Sequence, residues 1–235
     1  MRHRSSWFSL CIVVGVSWLA VGVAHAQTSI GIGATMFFDS GTIDHDQRIG
    51  PQHDTDHTDV SNARLMAGAL TFLYDLDGTE PGGFRLGGEL RYFGKYAAET
   101  DADKPERSEL GTEVELGVRG EWLTELAPKF TLALGMRFDL TMLLPTGDLA
   151  DEANRLADEG VPTSDGARFG WTIMPMVGAR YELHERVHAR LDLGFGWTRL
   201  DLFDIDDTVQ GINYERDDTL STTRFEVTLG VELSL

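Results

Sequence analysis

Cysteine is all but absent from this chain, which has one, Cys11, among 235 residues. A single thiol builds no disulfide framework, so if the chain leaves the cytosol its rigidity must come from another source, and a closed hydrogen-bonded sheet is one. Positive charge is scarce as well. Twenty Lys+Arg stand against 38 Asp+Glu, a formal balance of −18, which excludes nucleic acid as a partner because a polyanion is held by basic residues. Past Ala26 no apolar run comes near the roughly 20 residues that a membrane helix needs. No low-complexity linker divides the sequence, and about 200 residues is an ordinary length for one all-β domain.

What is present begins with an export signal. Arg2 and Arg4 precede an apolar stretch from Trp7 to Val23, which ends in Ala24-His25-Ala26. A basic start, a short apolar centre and small residues three and one positions before a cut define a secretory signal peptide. Residues 1–26 are therefore expected to be removed, leaving 27–235 as a single barrel domain. As a membrane anchor the stretch is too short, is interrupted by Gly15 and Ser17, and is basic on one side only.

The dominant pattern thereafter is period-two alternation, the signature of strands with two unlike faces. Leu110, Thr112, Val114, Leu116, Val118, Gly120 and Trp122 make one face of a predicted strand, with Glu109, Gly111, Glu113, Glu115, Gly117, Arg119 and Glu121 on the other. Phe130, Leu132, Leu134, Met136, Phe138, Leu140 and Met142 oppose Thr131, Ala133, Gly135, Arg137, Asp139 and Thr141 in the same way. Phe84, Leu86, Leu90 and Tyr92 likewise alternate with Arg85, Glu89, Arg91 and Phe93. Further strands are predicted over 29–38, 63–74, 168–183, 187–202 and 222–235. Short turns near Asp77-Gly78 (with Pro81-Gly82-Gly83 following), Ala127-Pro128 and His184-Glu185-Arg186 alternate with long loops at 39–60, 97–108, 145–166 and 204–218. Three short turns and four long loops are what eight strands with both termini on one side require. Residues 151–157 in the third loop are expected to form one or two helical turns. The expected fold is all-β, an eight-stranded antiparallel up-and-down transmembrane β-barrel.

Charge placement follows the same division. Without Arg2 and Arg4 the balance is −20, and the four long loops hold 22 acidic and 5 basic residues. The intended interior carries both signs: Arg85, Glu89, Arg91, Glu113, Glu115, Arg119, Glu121, Arg137, Asp139, Arg168, Arg180, Glu182, Arg190, Asp192, Arg224, Glu226 and Glu232. A barrel of eight strands is only wide enough for its own side chains to fill, and buried charges persist when paired. These residues are therefore expected to close the lumen as an ion-pair network rather than line a channel. Tyr74, Phe84, Trp122, Phe130 and Tyr181 near the short turns, and Phe38, Tyr92, Trp171 and Trp197 toward the loops, fit two interfacial aromatic girdles.

The last strand reads Thr228-Leu229-Gly230-Val231-Glu232-Leu233-Ser234-Leu235. With Thr228, Gly230, Leu233 and Leu235 at the key positions it resembles the assembly signal of outer-membrane barrels, although it ends in leucine where an aromatic residue is usual. Taken with the strand pattern, the chain resembles the small eight-stranded outer-membrane proteins of the A and X types, without the soluble peptidoglycan-binding domain of the former. That resemblance implies a monomer in the outer membrane of a Gram-negative bacterium. It would be inserted by the barrel-assembly machinery and surrounded by outer-membrane lipid and lipopolysaccharide, with no cofactor.

Several other readings compete. A lipocalin-like periplasmic barrel shares the strand count but needs an apolar interior and a polar outside, the reverse of this pattern. His45, His53 and His57 lie among Asp39, Asp44, Asp46, Asp54, Asp56 and Asp59, without the spacing of a recognised zinc or calcium site, so no metal is expected. An outer-membrane hydrolase, acting on lipid A or as a surface protease, needs a base beside its nucleophile. His184 and His188 sit at a predicted inner turn with no serine placed next to them. The leading expectation is a non-enzymatic barrel with acidic outer loops in a structural or surface-binding role. The loops would bind at the cell surface or, through divalent cations, to lipopolysaccharide phosphates. A surface enzyme and a narrow channel are the alternatives.

Overall fold

In a computed structural model, residues 28–76, 83–100, 107–164 and 166–235 are described, apart from the side chains of 63–66. The expected signal peptide, the turn residues Asp77-Gly78 and Pro81-Gly82, and residues 101–106 of the second loop lie outside the described residues. The elements in order are β1 (Thr28–Ile49), β2 (Gln52–Asp75), β3 (Gly83–Thr100), β4 (Arg107–Ala127), β5 (Phe130–Pro145), α1 (Asp148–Asp158), β6 (Arg168–His184), β7 (Val187–Val209) and β8 (Ile212–Ser234). Each strand pairs antiparallel with the next, and β1 pairs with β8 from Ser29↔Ser234 to Ile49↔Tyr214, so the sheet closes into a barrel. Closure leaves no edge strand, which is how a sheet satisfies its backbone without water.

Four of the strands run far beyond the expected limits. Residues 39–60 are a continuation of the β1–β2 hairpin, turning at Gly50-Pro51, and 204–218 continue β7–β8, turning at Gln210-Gly211. The first and fourth predicted loops are therefore strand. At about 3.3 Å per residue and the usual tilt of ~40°, the 22 residues of β1 rise about twice the ~25 Å of an apolar membrane band. β3 and β4 end lower, at Thr100 and Arg107, and β5 and β6 lower still. The rim is thus uneven. β7, β8, β1 and β2 form a raised wall, while the opposite side is closed by the β5–β6 connection and α1.

Polarity along the strands inverts partway up. On β7 the lower outward residues are Leu191, Leu193, Phe195 and Trp197, all exposed, while Arg190, Asp192 and Thr198 are buried inside. Above Trp197 the outward residues are Arg199, Asp201, Asp204 and Asp206, and Leu200, Leu202, Phe203 and Ile205 are buried. A wall in contact with acyl chains must be apolar outside; a wall in water obeys the opposite rule. The inversion marks the outer boundary of the membrane span, at the level of Phe38, Trp197 and Phe225. Below it, the exposed belt includes Ile32, Leu116, Phe138 and Leu229, and the girdle residues Trp122, Phe130, Tyr181, Phe38, Tyr92 and Trp197 face outward.

Two bulges shift the facing of β3 and β4. Gly94 takes φ +64 and the β3–β4 register slips between Tyr92 and Gly94 and again between Tyr96 and Ala97. Leu110, expected on the lipid face, is consequently buried inside, and Glu109, expected inside, turns outward to Lys95 and Thr146.

Candidate functional site

The membrane-span interior is filled by salt-bridged side chains. At the inner end Arg85 pairs with Glu121 and Glu232, and Arg180 bridges Glu121 (3.1 Å) and Asp192 (2.6 Å). Arg190 holds the second oxygen of Asp192 at 2.5 Å. Arg119 ties this layer to the next, reaching Glu121 at 2.6 Å, Asp192 at 3.0 Å and Glu89 at 3.2 Å. In the middle, Arg91 pairs with Glu89 and Glu226, and Arg137 with Asp139, Glu115 and Glu226. At the outer end Arg224 is bidentate on Asp39 (2.7 Å for both bonds) and also donates to Glu113 (2.9 Å) and Glu115 (2.8 Å). Threonines fill the gaps between the ions, as in the Thr141–Thr172–Thr198 chain, with 2.9 and 2.8 Å between hydroxyls, and the Thr35–Thr228 pair. These side chains are essentially inaccessible to solvent.

Arg168 and Glu182 stand apart from this network. Arg168 lies at the outer rim, where it donates to the Ser164 carbonyl (2.9 Å) and stacks over Phe203. Glu182 lies half-buried at the inner end, opposite His188. Both were expected inside from strand parity alone, but each lies within a turn of its strand end, where the wall no longer encloses a lumen. Asp39 is the converse case. In the sequence it falls in the first predicted loop, yet it is 4 % exposed and forms the outer anchor of Arg224. Among the assembly-signal positions, Thr228 is buried, Gly230 pairs with Gly33 of β1, and Leu233 and Leu235 face outward.

Above the ions lies an apolar storey that the sequence reading missed. Phe37, Phe93, Leu110, Leu143, Leu200, Leu202, Phe203 and Leu220 are buried together there, and α1 covers them with Leu149, Ala153 and Leu156. The guanidinium of Arg224 sits 4.8 and 4.9 Å from the Phe37 and Phe93 ring centres, joining the two layers by cation–π contact. α1 is longer than predicted. Its first turn carries Asp148 and Asp151, which suit the positive end of the helix dipole, and Asp148 accepts the Glu109 backbone N–H at 2.7 Å. At its end Gly160 (φ +84) and Val161 return their N–H groups to the carbonyls of Ala157 and Leu156, a left-handed closure suited to glycine.

One ion-pair chain pins the helix to the raised wall. Glu152 accepts from Arg155 (2.7 Å) and from Arg216 (2.6 Å), Arg216 also donates to Asp218 (2.6 Å), and Asp218 bonds His45. Hydrogen bonding from Arg155 and then Arg216 holds the Glu152 carboxyl down at about 2, from an ordinary 4.5. Only the bond from Arg216 crosses from the wall to the helix, so its share of the lowering stabilises docking; that share is present above pH 4.5 and is lost as pH falls through about 2. Amide resonances of Ala153 and Leu156 are expected to shift in one step near that pH. In Arg216→Gln the step should move up toward 4.5; an unmoved step would show that Arg216 does not hold the helix.

The outward face of the wall is acidic. Register places Asp204 opposite Asp217 and Asp217 opposite Asp46, three carboxylates in one row across three strands. Like charges set directly opposite one another destabilise a sheet. The histidines are taken up singly, His53 by Asp46 (2.8 Å) and His57 by Asp44 (2.5 Å). Among the described residues no group of three or more such side chains converges on a point as metal ligands would, and no serine hydroxyl is recorded bonding to a histidine.

No protein-family profile matches the chain, and no curated protein is similar to it in sequence. Among solved structures it is similar to the outer membrane protein OprG from Pseudomonas aeruginosa, with 14 % identity and a TM-score of 0.49 over 90 % of this chain and 96 % of that one. It is similar to the outer membrane protein AlkL, at 11 % identity and a TM-score of 0.47, covering 92 % and 93 % of the two chains. It is also similar to the outer membrane protease OmpT from Escherichia coli, at 8 % identity and 0.44, covering 91 % and 98 %.

Proposed function

We propose that this protein is an integral outer-membrane β-barrel that conducts nothing through its lumen and acts at the cell surface through its raised acidic wall. The observation that carries the first half is the inversion of polarity on β7, from exposed Leu191, Leu193, Phe195 and Trp197 to exposed Arg199, Asp201, Asp204 and Asp206. Water on both sides of the molecule gives no reason for such a change; a hydrocarbon layer around the lower half does. Two further features support a plugged barrel. Arginine–carboxylate pairs fill the span, and the apolar storey under α1 lies above them, so an ion entering from outside meets a dry layer and then occupied partners. The wall supports the second half, because its carboxylates outnumber its bases and face water. Lipopolysaccharide and bulk outer-membrane lipid surround the belt, the protein acts as a monomer, and the barrel-assembly machinery inserts it.

The test combines two measurements on detergent-extracted protein. Unboiled samples should migrate differently from boiled ones, since a closed barrel resists detergent until heated. The purified barrel in planar bilayers should give no conductance steps. Equal migration with and without boiling would sink the barrel, and resolved unitary steps would sink the plug.

A further inference from the structure

Exposed apolar residues at the top of the wall stand out because lipid cannot cover them there. Ile49 closes β1 and Ile212 opens β8; they are 40 % and 51 % exposed, at the apices of the two long hairpins. The apices are joined, since the Gly50 N–H donates to the Asn213 carbonyl at 2.8 Å. Between them and the end of α1 lies a notch of about 220 Å³, lined mainly by Ile49, Val161, Val209, Ile212 and the ring of Tyr214. A contiguous apolar patch rimmed by polar residues is the kind of surface that marks an interaction site.

Its surroundings choose the occupant. Glu159 lines one rim; on the other, Asp207 pairs across β7–β8 with Tyr214, whose ring lines the notch. The two bases nearby, Arg155 and Arg216, are outnumbered by their own partners Glu152, Glu159 and Asp218, and Asp207 adds a fourth carboxylate. An anionic or neutral chain would gain nothing from that rim, whereas a basic one gains on both sides. We propose that the notch docks a cationic peptide segment, taking one large apolar side chain between Ile49 and Ile212 while flanking lysines or arginines meet the carboxylates. This rests on the surface-binding reading above and names its partner class.

The test uses the full barrel in nanodiscs of neutral phosphatidylcholine, with empty discs as control. The probe is a fluorescein-labelled hexapeptide of five lysines and one phenylalanine. Its comparators replace the phenylalanine with serine or the lysines with glutamates. The phenylalanine peptide should bind about tenfold tighter than its serine counterpart, the yield of burying one aromatic side chain. Ile212→Ser should abolish that difference, and Asp207→Asn should weaken both lysine peptides. Both substitutions lie near a solvent-exposed hairpin apex, and heat-modifiable migration verifies that the variants fold. Equal binding of the two lysine peptides, a difference that survives Ile212→Ser, or equal binding of the glutamate peptide would overturn the proposal. Loss of heat-modifiability in the unaltered protein would instead remove the barrel reading on which it stands.

Discussion

Arg224→Met is expected to lower the unfolding free energy by about 3–5 kcal/mol, the usual consequence of removing one partner from a buried ion cluster. Arg224 gives two bonds to Asp39 and one each to Glu113 and Glu115, and no solvent reaches any of them. Methionine fills much of the same space between the rings of Phe37 and Phe93 and keeps a favourable sulfur contact, so the loss is electrostatic rather than a cavity. Adding Glu113→Gln should recover part of the loss, because a neutral amide removes one carboxylate left without its cation. Urea unfolding from lipid vesicles, followed by tryptophan fluorescence, reads both values. A single-variant loss below 1 kcal/mol, or no recovery in the double variant, would mean that Arg224 is not the outer anchor. By contrast Arg155→Ala breaks pairs that are half in water, and should change stability by less than about 0.5 kcal/mol.

Gly87→Ala is expected to prevent the barrel from forming at all. A β-carbon at Gly87 would fall 1.8 Å from the carbonyl oxygen of Phe72 on β2, a backbone atom held in the β2–β3 ladder and unable to step aside. The strands must therefore separate, and a ring with one opened seam exposes backbone groups to lipid, each at a cost of several kcal/mol. Gly68→Ala is the matched control on the facing strand, since a methyl there meets nothing within 4 Å. Heat-modifiable migration after refolding into detergent separates the two: Gly68→Ala should keep the shift and Gly87→Ala should lose it. Retention of the shift by Gly87→Ala would show that this close approach is absent in solution.

The membrane-spanning half was largely legible in the sequence because two solvents act on it at once. Hydrocarbon outside and a charged lumen inside make alternate residues as unlike as Phe138 and Asp139, and parity then assigns each its side. The wall was not legible for the same reason in reverse. On β1 beyond Phe38 the outward residues are Ser40, Asp44, Asp46 and Arg48, while the inward ones mix His45 and Gln47 with Ile43 and Ile49, so the contrast between faces weakens and the alternation disappears into what reads as a loop. On β7 the contrast survives but changes sign above Trp197, and a pattern that reverses looks like a pattern that ends. The bulge beside Gly111 hid Leu110 by moving parity one residue on β4, a shift that a glycine in a strand can signal but not locate. Asp39 was missed at the join between the two regimes, where a buried anchor and a loop aspartate look alike in the sequence.

The unevenness of the rim gives the molecule a front and a back. A barrel gripped by a girdle at each interface can rotate about the membrane normal but resists tipping, so its tall side always stands upright and sweeps sideways through the plane above the lipid. A partner that meets the carboxylate rows broadside must therefore arrive along the surface rather than from overhead, and does so in only part of each revolution.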